Sequence, residues 1–118
     1  MDPPKDLVAE VDGVVVGFAN VGPFRYEPAV TPDSKIVGEL WAMYVDPNSW
    51  GSGVGDELMA ATLEELDRLG AVRSYLWVLE GNGRARRFYE RHGWRSDDVT
   101  KTFDAGGTQI SEIRYSRT

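Results

Sequence analysis

Two periods of apolar and polar positions succeed one another along this chain, and the changes of period mark its elements. Residues 7–11 and 14–21 are rich in β-branched side chains and flank Asp12-Gly13. Asp-Gly between two such runs predicts a type I′ hairpin, because both central residues of that turn need positive φ. Residues 22–35 carry Pro23, Pro28 and Pro32 and read as a loop. The stretch 39–69 organises the centre. It opens with Leu40-Trp41-Ala42-Met43-Tyr44-Val45, an apolar run of the length of a buried strand. Asp46-Pro47 ends that strand, since proline offers no N–H to a ladder. After Trp50-Gly51-Ser52-Gly53-Val54-Gly55 the period becomes helical: Leu58, Thr62, Leu66 and Leu69 share a face with Val54 and Ala61. Gly70 stands where a C′ glycine closes a helix.

Residues 72–79 form a second apolar strand. A strand, a helical crossover and another strand make a βαβ unit, so these two strands are expected to be parallel. Glu80-Gly81-Asn82-Gly83 breaks the chain. A short helix over 84–92 follows, with Ala85, Phe88 and Tyr89 on one face and Gly93 closing it. Beyond Trp94 the alternation is weak, with strands at 99–103 and 108–115 about a turn at Asp104-Ala105-Gly106-Gly107. The order is β-β-β-α-β-α-β-β: a mixed sheet with a central parallel βαβ unit, an α/β (α+β) domain. At 118 residues the chain has room for one domain and one core, so 1–118 reads as a single domain without internal repeats or linkers.

A formal net charge of −6 argues against a general nucleic-acid or anionic-membrane binder. No segment is long and apolar enough to span a bilayer, and the N-terminus lacks the apolar core of a signal peptide, so the cytoplasm is the expected compartment. There is no cysteine, which excludes disulfides, thiolate metal sites and a thiol nucleophile. The single histidine, His92, sits at a helix end, where a cation offsets the dipole, and no metal site is expected.

A glycine turn opening a helix has a second use beyond tight packing. The first helical N–H groups lack partners and carry partial positive charge, and glycines let a phosphate approach them without meeting a Cβ. Gly51-x-Gly53-x-Gly55 alone supports either reading. It is neither a Walker loop, since no Gly-Lys-Ser/Thr follows, nor the GxGxxG dinucleotide fingerprint.

Three blocks taken together resemble the GCN5-related N-acetyltransferases. Glu39-Leu40-Trp41-Ala42-Met43-Tyr44-Val45-Asp46-Pro47 is similar to the family's fourth strand. Trp50-Gly51-Ser52-Gly53-Val54-Gly55 is similar to its acyl-CoA pyrophosphate loop, usually Q/R-x-x-G-x-G/A. Glu80-x-Asn82-x-Arg84-Ala85-Arg86-Arg87-Phe88-Tyr89-Glu90-Arg91-His92-Gly93-Trp94 is similar to its N-x-x-A-x-x-x-Y-x-x-x-G-F/W segment. The resemblance implies a GNAT-like sheet and transfer of an acetyl or short acyl group from acetyl-CoA to a small-molecule or peptide amine, directly, in a ternary complex. It implies that Gly51, Ser52, Gly53, Val54 and Gly55 grip the pyrophosphate. Met43 and Val45 would pair with the pantetheine arm, the Met43 N–H facing the thioester oxygen, and Asn82 would contact CoA. Arg84 is a further candidate for phosphate, set against a surface charge.

Glu39 matches the position of a general base. A carboxylate amid an apolar strand needs a reason, and the alternatives to a base are a strand-end residue in water or a structural ion pair. Tyr89 matches the general acid for the departing thiolate, with core packing as its alternative. Trp50 stands where the family has Gln or Arg, which costs a side-chain donor to the phosphates. The family's strand and two helices before the first hairpin are expected to be missing, leaving the sheet around 7–21 and 37–45 uncovered. An uncovered apolar face and an open strand edge favour association, so a homodimer is expected, through that face or through the C-terminal strands at 99–115. The readings that compete with an enzyme are a non-catalytic acyl-CoA-binding module on the same scaffold and a ligand-free interaction domain.

Overall fold

The computed structural model describes residues 4–25, 32 and 34–118. Six strands and two helices follow in order: β1 (Lys5–Val11), β2 (Val14–Pro23), β3 (Ile36–Val45), α1 (Val54–Arg68), β4 (Ala71–Leu79), α2 (Gly83–Arg91), β5 (Arg95–Ala105) and β6 (Thr108–Arg117), with a short 3-10 turn at Pro47–Ser49. They match the expected element order. The strands form one mixed sheet in the order β1-β2-β3-β4-β6-β5. β6 thus lies inside the sheet and β5 takes the edge. β3 and β4 are neighbours joined by a helical crossover, the connection that parallel strands require. The proline loop expected over 22–35 starts later than predicted, because β2 runs through Pro23 and Phe24 N–H still bonds Val37 O at 3.0 Å. Pro28 and most of that loop lie outside the described residues.

Two compact units divide the chain, Met1–Ser74 and Tyr75–Thr118. In the first, β1, β2 and β3 form an antiparallel meander. Asp12 and Gly13 take φ of 52° and 79°, the geometry the Asp-Gly signal demands. α1 lies on one face of the meander and buries Val54, Leu58, Met59, Thr62 and Leu66 against Ala19, Val21 and Leu40. Gly70 closes the helix at φ 79°. The helix approaches so closely that small residues are required beneath it. A Cβ on Gly17 would stand 2.8 Å from Tyr44 O and 3.0 Å from Leu58 Cδ1. Gly17→Val is therefore expected to cost about 1–3 kcal/mol in urea denaturation, since backbone blocks one side. Gly38→Ala should cost less, because its closest contact, Leu66 Cδ2 at 2.6 Å, is the end of a flexible side chain.

α1 also buries a carboxylate. Glu65 accepts from Arg68 Nε at 3.0 Å and pairs with Lys5 Nζ at 3.5 Å, which ties the helix to β1. The Arg68 hydrogen bond is the main reason its carboxyl is held below the usual range.

In the second unit β5 and β6 form a hairpin whose turn glycines, Gly106 and Gly107, take φ of 62° and 89°. The strand expected at 99–103 starts earlier, at Arg95. The ladder is irregular between Ser96 and Thr100, where Asp98 has φ 62°, and this accounts for the weak alternation there. α2 runs one residue ahead of its expected span. His92 is its C-cap and Gly93 follows at φ 87°. Leu76, Val78, Tyr89, Trp94, Ile113 and Tyr115 are buried.

Candidate functional site

β3 does not run straight. Asn20 pairs with Ala42 and Val21 with Leu40, so Trp41 is an extra residue on β3, a β-bulge. A bulge re-aims the side chains on either side of it. Upstream of it, Leu40 is buried against α1. Downstream, Ala42 and Tyr44 are exposed and Met43 and Val45 are half-buried. The buried apolar run expected over 40–45 is therefore an alternating one, and core packing does not hold for Tyr44, which is 52% exposed.

Past Val45 the chain bends through the 3-10 turn. The Asp46 carboxylate accepts from Asn48 N–H at 3.0 Å and caps it. Trp50 N–H bonds Pro47 O at 3.2 Å, and the Trp50 indole Nε1–H bonds back to Val45 O at 3.0 Å. Ser52 Oγ is bound to Ser49 O, closing the loop on itself. Gly51 and Gly53 take φ of 79° and 91°, which side chains other than glycine adopt at a cost. Gly53 is the N-cap of α1 and has no side chain with which to cap it. The first bond of the helix runs from Glu57 N–H to Gly53 O at 3.0 Å, so the N–H groups of Val54 and Gly55 have no acceptor within the helix. A Cβ at Gly51 or Gly53 would meet no atom within 4 Å. Open space before an uncapped helix N-terminus is what a phosphate-bearing ligand needs. The loop drawn from the sequence, 51–55, is thus continuous with β3 and its Met43 and Val45.

Glu39 is fully buried, directly upstream of the bulge. Both its oxygens are engaged: Arg25 donates its backbone N–H to Oε1 at 2.9 Å, Nε–H to Oε1 at 3.3 Å and Nη2–H to Oε2 at 2.8 Å. The Arg25 guanidinium lies 4.8 Å from the Trp41 ring centroid, and Trp41 Nε1–H bonds Pro23 O at 2.9 Å. Glu39 is therefore an ion-paired carboxylate that pins the end of β2 to β3. The sequence held that pairing as one alternative but had no way to name Arg25.

The second unit carries the remaining candidates. Asn82 caps α2, its side-chain oxygen accepting from Ala85 N–H at 3.1 Å, and Arg84 lies exposed in the first turn. Tyr89 is buried on α2 with Phe88 edge-on at 5.6 Å. Burial pushes its hydroxyl up to about 12. A further network escaped the sequence reading. Tyr115 on β6 is fully buried, donates its hydroxyl to Glu90 Oε2 at 2.7 Å and accepts from Arg86 Nε at 3.0 Å, while Arg86 Nη1–H reaches Glu80 O at 2.8 Å. Two of these bonds tie α2 to β6 at Tyr115, and the third ties it back to the loop that precedes it. Burial is the first reason the Tyr115 hydroxyl is raised, with Glu90 adding to it and Arg86 opposing. Its contacts span 25 to 29 residues, which no local pattern reveals.

Among the described residues no cluster of His, Cys, Asp and Glu could hold a metal ion, and no helix is long and apolar enough to cross a membrane.

Sheet, bulged strand and glycine-opened helix define the class: an α+β protein whose first helix starts uncapped behind a glycine loop. The model of the acetyltransferase (GNAT) family matches residues 1–94, and the chain belongs to that family. An uncharacterised N-acetyltransferase of Archaeoglobus fulgidus is 37% identical over 83 residues, 70% of this chain and 54% of that protein. The crystal structure of the ribosomal-protein-alanine N-acetyltransferase from Brucella melitensis superposes with a TM-score of 0.79 at 27% identity, over 97% of this chain and 68% of that one. The Salmonella typhimurium yncA structure, solved with its cofactor acetyl-CoA, has a TM-score of 0.77 over 96% of this chain and 63% of that one. At 22% identity it shares the fold alone. The chain thus spans about half the length of that curated relative.

Proposed function

We propose that this protein is an N-acetyltransferase that moves an acetyl group from acetyl-CoA to an amine by direct attack in a ternary complex. The observation that carries the reading is the uncapped N-terminus of α1 behind Gly51 and Gly53, on a chain of this family. The pyrophosphate meets the N–H groups of residues 51–55, with Ser52 closing the loop and Val54 anchoring its far end in the core. The pantetheine arm runs along the β3 backbone at Met43 and Val45, and Asn82 and Arg84 contact CoA from the start of α2.

In the reaction the amine nitrogen bonds to the thioester carbon, the carbon–sulfur bond breaks, the nitrogen's second proton passes to solvent, and the products are an amide and CoA thiol. The ammonium proton goes to Glu39, whose carboxylate exchanges Arg25 for the acceptor. A cationic or neutral amine suits a carboxylate at that place. Tyr89 is the proposed hydrogen-bond donor to the departing sulfur. A phenol near 12 is protonated throughout the neutral range, so it is available as a donor. A free thiol titrates at about 8.5. Full proton transfer from Tyr89 is therefore uphill, and the hydroxyl contributes a hydrogen bond while solvent completes the protonation.

Calorimetry with acetyl-CoA tests the binding half of this reading, and thiol release with a panel of small and peptide amines tests the chemistry. Binding without release by any amine would leave an acyl-CoA-binding module instead.

Self-association belongs to the same proposal. Val8, Phe18 and Tyr44 lie opposite one another across β1, β2 and β3 and are 59%, 38% and 52% exposed. An apolar row of this kind is an association surface. Sedimentation at micromolar concentration is expected to show a dimer, and Tyr44→Glu a monomer. A parent that sediments as a monomer would remove this part of the proposal.

A further inference from the structure

We infer that Trp50 is the platform for the adenine ring of the acyl donor, and so a determinant of affinity for the nucleotide half of acetyl-CoA. The inference rests on the reading of residues 51–55 as the pyrophosphate loop.

Three observations carry it. Trp50 is 50% exposed although it is among the largest apolar side chains in the protein, and it immediately precedes Gly51. It is nonetheless held at two points, by its backbone N–H to Pro47 O at 3.2 Å and by its indole N–H to Val45 O at 3.0 Å. With the ring nitrogen's proton committed to Val45, the exposed half of the indole offers a ligand aromatic surface and no hydrogen-bond donor. A rigid exposed indole of this kind recognises a flat ring.

The third observation is electrostatic. Between Lys35 and Arg68 the chain has no Lys or Arg, while Asp56 and Glu57 stand in the first turn of α1. Within this segment a phosphate therefore meets backbone N–H groups and no cation, beside two carboxylates that oppose it. At the loop itself a contribution that does not depend on charge would add to what the backbone N–H groups and Arg84 supply. Stacking of a base on an aromatic ring supplies one. The ligand class is thus an adenine nucleotide whose diphosphate lies on the loop and whose base lies on Trp50.

The test compares donors with and without the nucleotide. Calorimetry is run on the parent, Trp50→Ala, Trp50→Phe and Gly53→Asn with acetyl-CoA and with acetyl-pantetheine, which lacks the adenosine and its phosphates. Trp50→Ala is expected to raise the Kd for acetyl-CoA by about 5- to 150-fold, the effect of removing an aromatic base platform. Its affinity for acetyl-pantetheine should equal the parent's. Trp50→Phe, which keeps a π face and loses the bond to Val45, should recover most of the affinity. The proposal fails if Trp50→Ala binds acetyl-CoA like the parent, if both donors weaken equally, or if Trp50→Phe is as weak as Trp50→Ala, since the last would make the Val45 bond the cause. If Gly53→Asn also leaves acetyl-CoA binding unchanged, the loop assignment fails with it. If Gly53→Asn weakens acetyl-CoA and Trp50→Ala does not, the loop stands and only the platform is lost.

Discussion

Gly53→Val is expected to weaken acetyl-CoA binding by at least about a hundredfold, the loss of two or more hydrogen bonds to a charged group at about 1.5 kcal/mol or more each. Two causes act together. A valine at φ 91° is strained, and its side chain enters the open space proposed for the phosphates. Strain alone costs roughly 1–3 kcal/mol of stability, so a melting curve must accompany the titration. Gly53→Asn separates the causes, because asparagine tolerates positive φ while still placing a Cβ in the loop. Both variants should remain folded and lose binding. Undiminished affinity in a folded Gly53→Val protein would falsify the assignment of residues 51–55.

Tyr89→Phe is expected to lower kcat by about a hundredfold, the low end for removing one hydrogen-bond donor from a developing negative charge, with acetyl-CoA affinity unchanged. In the proposed reaction the hydroxyl acts on the leaving sulfur and not on the bound donor, so the effect belongs to turnover. Equal kcat in the variant and the parent would assign Tyr89 to packing alone.

The raised hydroxyl makes two further effects measurable. Since Tyr89 is held at about 12, the parent's rate should show no fall due to this residue between pH 7 and pH 10. Stability should respond at higher pH. The native protein keeps the Tyr89 proton when the unfolded chain, at about 10, has begun to lose it. The stabilisation is complete below pH 10, declines as pH rises and is lost near 12, a change on the order of 3 kcal/mol. Tyr115 is shifted in the same direction, so the measurement is the difference between the parent and Tyr89→Phe in urea titrations from pH 9.5 upward. A difference that does not vary with pH would show that Tyr89 is not buried as described.

Arg25 and Glu39 deserve a separate comparison in the same assays. A carboxylate that receives three hydrogen bonds from one arginine serves structure first, and in the proposed reaction it must release Arg25 before it can take a proton. The pairing also places a half-exposed guanidinium over Trp41, at the outer face of the bulge. In the proposed reaction the availability of Glu39 therefore depends on Arg25, just beyond the end of β2, as well as on β3 itself.

The sequence by itself determined whatever depends on neighbours in the chain. Asp12-Gly13, Gly70, Gly93 and Gly106-Gly107 mark positive-φ positions, and each marks a turn or helix end in the structure, because φ preference is a property of the residue. The face of α1 was legible from a period of three and four, although Met59 and Glu65 widen it. The glycine loop, Asn82 and Tyr89 were legible as a pattern of three blocks. Only the tertiary structure decided what depends on pairing at a distance. Strand alternation does not say which face is covered, so Tyr44 reads as buried from its run and is exposed beyond the Trp41 bulge. The bulge itself is a matter of register between β2 and β3. Glu39 is buried because Arg25, 14 residues away, neutralises it, and α2 is held by a tyrosine on β6. A buried charge or hydroxyl is tolerated only where a partner arrives, and the chain fold, not the local sequence, brings that partner.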